Sequence, residues 1–235
     1  MTILPESAGD ETISPWLLAI DTSTEQAGLA LFDGSAMIES SWPAGRTQTV
    51  SVLPRIEEML SGQGLKIEDV GAIGAARGPG TFTGLRVGLS VAKGLMIVPG
   101  RALIAVNTLR IAAAPFVEAG VSTIAVLPAG RRRLVWSVFE RGHMPGPPRN
   151  TTLGELTEYL ASRPPIVVVG ELLPDQRAAV AAAGPLLVVG SLGTRRPGVL
   201  AEIARDRWRR GDVDDPLTIE PLYLHGKALG GATGN

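Results

Sequence analysis

Apolar positions along the chain fall into short blocks that switch between continuous runs and helical stripes. Residues 16–20 and 27–32 are apolar runs of strand length, separated by Asp21-Thr22-Ser23-Thr24, and an Asp33-Gly34 turn leads into a third strand at 36–40. In 49–60, Val50, Leu53, Ile56 and Leu60 recur at three or four residues, which predicts an amphipathic helix that Gly62 and Gly64 end. A strand at 71–76, a helix from 83 to about 98, a strand at 102–106 and a helix at 109–117 follow. The pattern then restarts, with strands at 122–127 and 134–139, a helix at 153–160, a strand at 166–169, a helix at 176–183 and a strand at 186–189. A last helix at 198–210 begins after Pro197 and stops at Gly211. Alternation of this kind predicts an α/β fold with a weak internal duplication.

Between the strand at 71–76 and its helix lies Arg77-Gly78-Pro79-Gly80-Thr81-Phe82-Thr83-Gly84-Leu85-Arg86-Val87-Gly88. Gly78-Pro79-Gly80 is tight-turn chemistry, and Thr81 or Thr83 is suited to cap the helix that follows. A strand, a glycine loop and a helix N-terminus together form a candidate anion cradle, since free amides and the helix dipole both favour negative charge. The standard phosphate loops do not match it. A Walker A loop requires Gly-Lys-Ser/Thr at its end, and the dinucleotide fingerprint requires its last glycine one residue earlier than Gly84. Along the helix Gly84, Gly88 and Ala92 form a row of small residues beside an apolar row of Leu85, Leu89 and Met96. Such a row permits close approach either of the chain's own sheet or of a second protein.

Composition narrows the chemistry. With 45% apolar residues over 235 positions the chain has ample material for a core, and the absence of cysteine excludes disulfides, thiol catalysis and cysteine-ligated zinc. A reducing, cytoplasmic setting is expected. Residues 1–15 carry Glu6, Asp10 and Glu11 and read as an extension rather than a secretory signal, and 226–235 read as a disordered tail. The apolar stretch at 85–98 is broken by Arg86 and Lys93 and falls short of the roughly 20 residues of a membrane span. A net charge of −1 argues against gripping nucleic acid over a broad face unaided. The basic clusters are Arg131-Arg132-Arg133 and Arg205, Arg207, Arg209 and Arg210, readable as solvated faces or as a minor phosphate contact in an assembled complex.

As a whole string, 77–88 resembles the Arg-Gly-Pro-Gly-Ser/Thr-Phe-Thr-Gly-hydrophobic-Arg-hydrophobic-Gly signature of the TsaB (YeaZ) family. Asp21-Thr22-Ser23-Thr24 and the segment Glu220-Pro221-Leu222-Tyr223-Leu224 also match the family's N-terminal and C-terminal patterns. The resemblance implies a degenerate paralogue of TsaD with the two-lobed actin, Hsp70 and sugar-kinase (ASKHA) fold, its lobes duplicated as βββαβα units. On that basis 16–106 form the first lobe and 107–195 the second, with the C-terminal helix at 196–225 returning to the first.

It also implies a protein that is not an enzyme by itself: a partner subunit that binds and organises TsaD in making N6-threonylcarbamoyladenosine at position 37 of tRNAs. TsaE would join the complex, tRNA would be reached only indirectly, and the free protein would be a homodimer. The expected interface comprises Leu53, Gly84, Leu85, Arg86, Gly88, Leu89 and Ala92. Asp21, Thr22, Ser23, Gly78 and Gly80 would be vestigial phosphate loops, with no bound cofactor beyond an ATP or ADP contact within the complex.

Residues 127–133 read Leu-Pro-Ala-Gly-Arg-Arg-Arg where the family usually has Asp-Ala-Arg-x-Gly-Glu. Pro128 and Arg133 stand at the expected carboxylates, so this loop offers none opposite Asp21 and a two-sided Mg²⁺ clamp looks broken. Arg46 replaces a histidine common among relatives, and the two histidines, His143 and His225, are far apart, which leaves no metal pair and no Gly-x-Ser-x-Gly elbow for a hydrolase. The alternatives are an ATP-dependent sugar-kinase-like enzyme and a glycoprotease-like peptidase.

Overall fold

The computed structural model describes residues 15–162 and 166–223. The expected N-terminal extension, apart from Pro15, and the expected tail lie outside the described residues, as does His225. The first strands are β1 (Trp16–Asp21), β2 (Gln26–Phe32) and β3 (Met37–Pro43), joined as antiparallel neighbours. Helix α1 (Gln48–Ser61), strand β4 (Val70–Gly78), helix α2 (Phe82–Leu95), strand β5 (Ala102–Asn107) and helix α3 (Thr108–Glu118) follow. β1, β4 and β5 run parallel, giving the sheet order β3-β2-β1-β4-β5.

The second half repeats this plan. It contains β6 (Thr123–Pro128), β7 (Leu134–Phe139), β8 (Arg149–Thr151), α4 (Leu153–Ala161), β9 (Val167–Gly170), α5 (Pro174–Ala182), β10 (Leu186–Leu187) and α6 (Pro197–Arg209). Its sheet order is β8-β7-β6-β9-β10, so each strand has a counterpart in the first sheet. Antiparallel and parallel pairings also recur in the same places. Two duplicated α/β lobes result, in line with the α/β alternation and weak internal duplication of the sequence pattern. β8 is absent from that pattern because Arg149-Asn150-Thr151 has no apolar alternation.

Strands β1, β2 and β4 are apolar on both faces because both faces are covered. Leu18, Ile20, Leu29, Leu31 and Ile73 share one core with Val52, Ile56, Leu60, Leu89 and Ala92. Leu17, Ala19, Ala30, Ala72 and Ile104 share the other with Leu200, Ala201 and Ala204 of α6. The third helix of each half crosses to the other lobe: α6 packs on β1, β2, β4 and β5, and α3 packs on β6, β7 and β9. Small residues make this possible, since a Cβ added at Gly74 would lie 2.9 Å from the Ala204 Cβ.

α1 is rotated from the expected orientation. Ile56 and Leu60 are buried, but Val52 completes their row, while Val50 and Leu53 are 72% and 53% exposed. Residues 52, 56 and 60 follow an i, i+4 row onto the sheet, which leaves the other half of the apolar stripe facing outward. Among the described residues no helix is long and apolar enough to cross a membrane.

Candidate functional site

The turn after β1, the glycine loop after β4 and the residue after β9 meet through side-chain and backbone bonds. Thr22 Oγ1 donates to the Gly84 carbonyl at 2.7 Å, and Thr81 N donates to the Ser23 carbonyl at 2.7 Å. The turn after β1 and the glycine loop before α2 are therefore bonded to each other. Thr81 is the N-cap of α2, accepting from Gly84 N at 3.2 Å. A Cβ at Gly80 would overlap the Ser23 carbonyl, and one at Gly78 would lie 2.7 Å from the Leu222 carbonyl. The glycines serve this close approach.

The structure thus brings Asp21, Thr22, Ser23, Gly78 and Gly80 together, with their polar atoms already engaged. Asp21 Oδ1 accepts from Ser23 N at 2.9 Å and from Ser23 Oγ at 2.5 Å. Its other oxygen, Oδ2, accepts from Arg195 Nε at 2.9 Å. The Arg195 side chain is 1% exposed. It also bonds Glu171 at the end of β9, and its Nη2 donates to Thr24 Oγ1 at 3.0 Å. Thr24 Oγ1 in turn donates to Glu171 Oε1 at 2.9 Å. Burial disfavours the Arg195 charge, but the fields of Asp21 and Glu171 outweigh it and hold the group above the ordinary arginine range.

A carboxylate does therefore face Asp21 across the lobes. It comes from β9, through Glu171, and not from residues 127–133, and a cation is already seated between the two. A hydrated Mg²⁺ carrying nucleotide does not fit this arrangement, because the Asp21 oxygen that it would use is held by a buried guanidinium. Among the described residues no group of three His, Asp or Glu side chains is placed to hold a metal. His143 is exposed beside the Arg141 carbonyl and belongs to no such group among the described residues.

Of the residues expected at a partner interface, Gly84, Leu85, Gly88, Leu89 and Ala92 are buried inside the chain. A Cβ at Gly88 would overlap Thr22 Oγ1, so the small row seats α2 on its own sheet. This corrects their expected place: they are covered by the chain itself. Leu53 and Arg86 remain exposed. Arg86 lies over the Phe82 ring at 3.8 Å and donates to Tyr223 Oη at 2.8 Å, tying the C-terminal segment to α2. Phe82, the first residue of α2, and Ile97, two residues beyond its end, are 51% and 86% exposed.

The arginines of α6 are mostly spent within the fold. Arg207 pairs with Asp212 at 2.7 Å and Asp214 at 3.3 Å, Arg210 with Asp206 at 2.5 Å, and Arg205 donates to the Pro15 carbonyl. Arg195 and Glu171 are the site residues absent from the sequence reading. The available signal was the duplication, since Gly78 and Gly170 end equivalent strands with left-handed φ of 117° and 129°, which points to the residue after Gly170.

Residues 43–144 match the model of the TsaD family, tRNA N6-adenosine threonylcarbamoyltransferase. The tRNA threonylcarbamoyladenosine biosynthesis protein TsaB of Escherichia coli is 31% identical over 53% of this chain and 55% of its own length. Its namesake from Haemophilus influenzae is 46% identical over 34% of each. The chain thus spans about half, or less, of the length of these relatives. YeaZ from Pseudomonas aeruginosa shares the fold, with a TM-score of 0.73 at 24% identity over 89% of this chain and 99% of that one. The chain is thus similar in part to TsaB proteins and, over 43–144, to TsaD, and it shares the fold of YeaZ.

Proposed function

We propose that the chain is a non-catalytic subunit of the machinery that makes N6-threonylcarbamoyladenosine on tRNAs, and that it binds and organises TsaD. The observation that carries this reading is the buried Arg195 between Asp21 and Glu171. It occupies the position where a catalytic relative would need an open carboxylate for a metal-bound nucleotide. The names of the TsaB relatives and the TsaD-type match over 43–144 support the pathway.

The contact with TsaD is assigned to the outer faces of α1 and α2, where Val50, Leu53, Phe82 and Ile97 are exposed. The same faces serve a homodimer of the free protein, and TsaE joins after TsaD. Any ATP or ADP contact arises in the complex. Co-expression with TsaD of the same organism tests the reading. Co-elution on gel filtration is expected, and separate elution of two folded proteins overturns it. Binding of Mg²⁺–ATP by the isolated chain, abolished in Asp21→Ala, would overturn the non-catalytic part.

A further inference from the structure

We propose that the tip of the β6–β7 hairpin, carrying Arg131 and Arg132, is a contact for the phosphate backbone of RNA. The backbone here is unusual. Gly130, Arg131 and Arg132 have φ of 71°, 48° and 58°, three successive left-handed residues of which two carry long side chains. Left-handed φ costs a non-glycine residue on the order of 1 kcal/mol, and arginine has none of the local hydrogen bonding with which asparagine or aspartate offsets it. The hairpin holds the conformation through Ala129 N to the Arg133 carbonyl at 2.9 Å and Arg133 N to the Gly130 carbonyl at 2.9 Å.

Among the described residues little repays the two arginines. Among the described residues Arg131 has no ion-pair partner, and Arg132 has only Asp175, at 3.8 Å with side chains 92% and 62% exposed. An exposed pair at that distance contributes close to nothing. Arg133 differs, since it is anchored by Nε to Asn150 Oδ1 at 2.8 Å and by a second bond to the Asn150 carbonyl. This anchor ties the hairpin to β8, where the exposed Arg149 stacks over Trp136 and Tyr159 at 4.9 and 4.8 Å. Glu155, near Arg133, is bound in the cap of α4.

The hairpin therefore presents two exposed guanidiniums, one of them only loosely paired, on a strapped base, whereas Arg207 and Arg210 at the end of α6 are held in closer ion pairs. Guanidinium forks match phosphate oxygens, and two phosphates contacted at a tip need no basic face, which suits a chain of net charge −1. The choice of RNA rests on the tRNA pathway proposed above. It goes beyond that reading in giving this chain a direct contact with the tRNA.

The test uses the full chain, alone and in complex with TsaD, against an unmodified tRNA transcript. R131G/R132G removes both charges and keeps the fold, because glycine adopts these φ values without cost. Two lost phosphate contacts lower the slope of log K against log salt by about 1.8. Raising monovalent salt from about 0.05 to about 0.2 M then weakens the wild type about ten-fold more than the variant. R131K/R132K is expected to keep the wild-type slope. Equal slopes and affinities in wild type and R131G/R132G, alone and in complex, overturn the proposal. So does a lysine variant as weak as the glycine one. A glycine variant that binds tRNA normally but loses TsaD overturns it too, and assigns the hairpin to an acidic protein surface. Co-elution with TsaD is read separately, so failure here leaves the subunit reading standing.

Discussion

Arg195 Nε lies 2.9 Å from Asp21 Oδ2, although the two residues are 174 positions apart and both are buried. Asp21 is the last residue of β1, and Arg195 lies in the stretch that returns the chain to the first lobe before α6. Removing one partner of such a pair strands a charge in a site with little water. Arg195→Ala is expected to lower unfolding stability by about 3–5 kcal/mol, measured by urea denaturation. R195M/D21N, which removes both charges, should recover most of that loss. A single variant as stable as the wild type would mean that the pair is not formed in solution.

Gly88 and Thr22 give a second, independent test of how α2 is seated. A methyl group at Gly88 overlaps Thr22 Oγ1, which itself donates to the Gly84 carbonyl at 2.7 Å. Gly88→Ala should cost about 1–3 kcal/mol as overpacking. Thr22→Ala opens the needed space, so the double variant should be less destabilised than the sum of the two singles. Additive effects in that cycle would show that the helix shifts instead of clashing.

These two relationships mark where the sequence was informative and where it was not. Runs such as Leu17-Leu18-Ala19-Ile20 announced a strand, and Thr81 or Thr83 announced a cap for α2, of which the structure uses Thr81, because local chemistry decides both. The repeat of strand and helix lengths anticipated the duplicated sheets. The row Gly84, Gly88, Ala92 was legible as a close-packing surface, but periodicity has no information on whether the second body is the chain's own sheet or another protein. Arg195 was hidden for a related reason. In Thr194-Arg195-Arg196-Pro197 the two arginines look alike, yet Arg195 is buried while Arg196 lies outside and pairs with Glu39. Only the crossing of the chain between lobes distinguishes them.

The cap of α4 provides a pH-dependent prediction. Glu155 accepts from Thr152 N at 2.7 Å and from Thr152 Oγ1 at 2.8 Å, and these bonds, the backbone one foremost, hold its carboxyl below the ordinary glutamate range. A folded pKa below the unfolded one contributes stability that is present above the unfolded value and lost as pH falls through the folded value. Amide exchange in the first turn of α4, corrected for intrinsic rates, should therefore rise on acidification through the carboxylate range. Glu155→Gln should flatten that dependence. An unchanged pH profile in the glutamine variant would place the titrating group elsewhere.

Leu53 tests the proposed partner surface against the core. It belongs to the same apolar stripe as Ile56, yet it is 53% exposed where Ile56 is 4% exposed. A charge at an exposed helix position changes stability by no more than about 0.5 kcal/mol, whereas a charge at a covered interface position leaves an unpaired ion in contact with apolar surface. Leu53→Glu should accordingly melt within a degree or two of the wild type and fail to co-elute with TsaD. Ile56→Glu should lose the fold itself, because its side chain shares a core with Val52, Leu60 and Ile73. Arg55, between them in sequence, stacks over Trp42 at 4.5 Å and supplies a control on the same helix. Arg55→Lys preserves the charge and should leave co-elution intact. If Leu53→Glu still co-elutes at wild-type concentration dependence, the outer face of α1 is not the contact, and the exposed Phe82 and Ile97 of the α2 region become the positions to charge next.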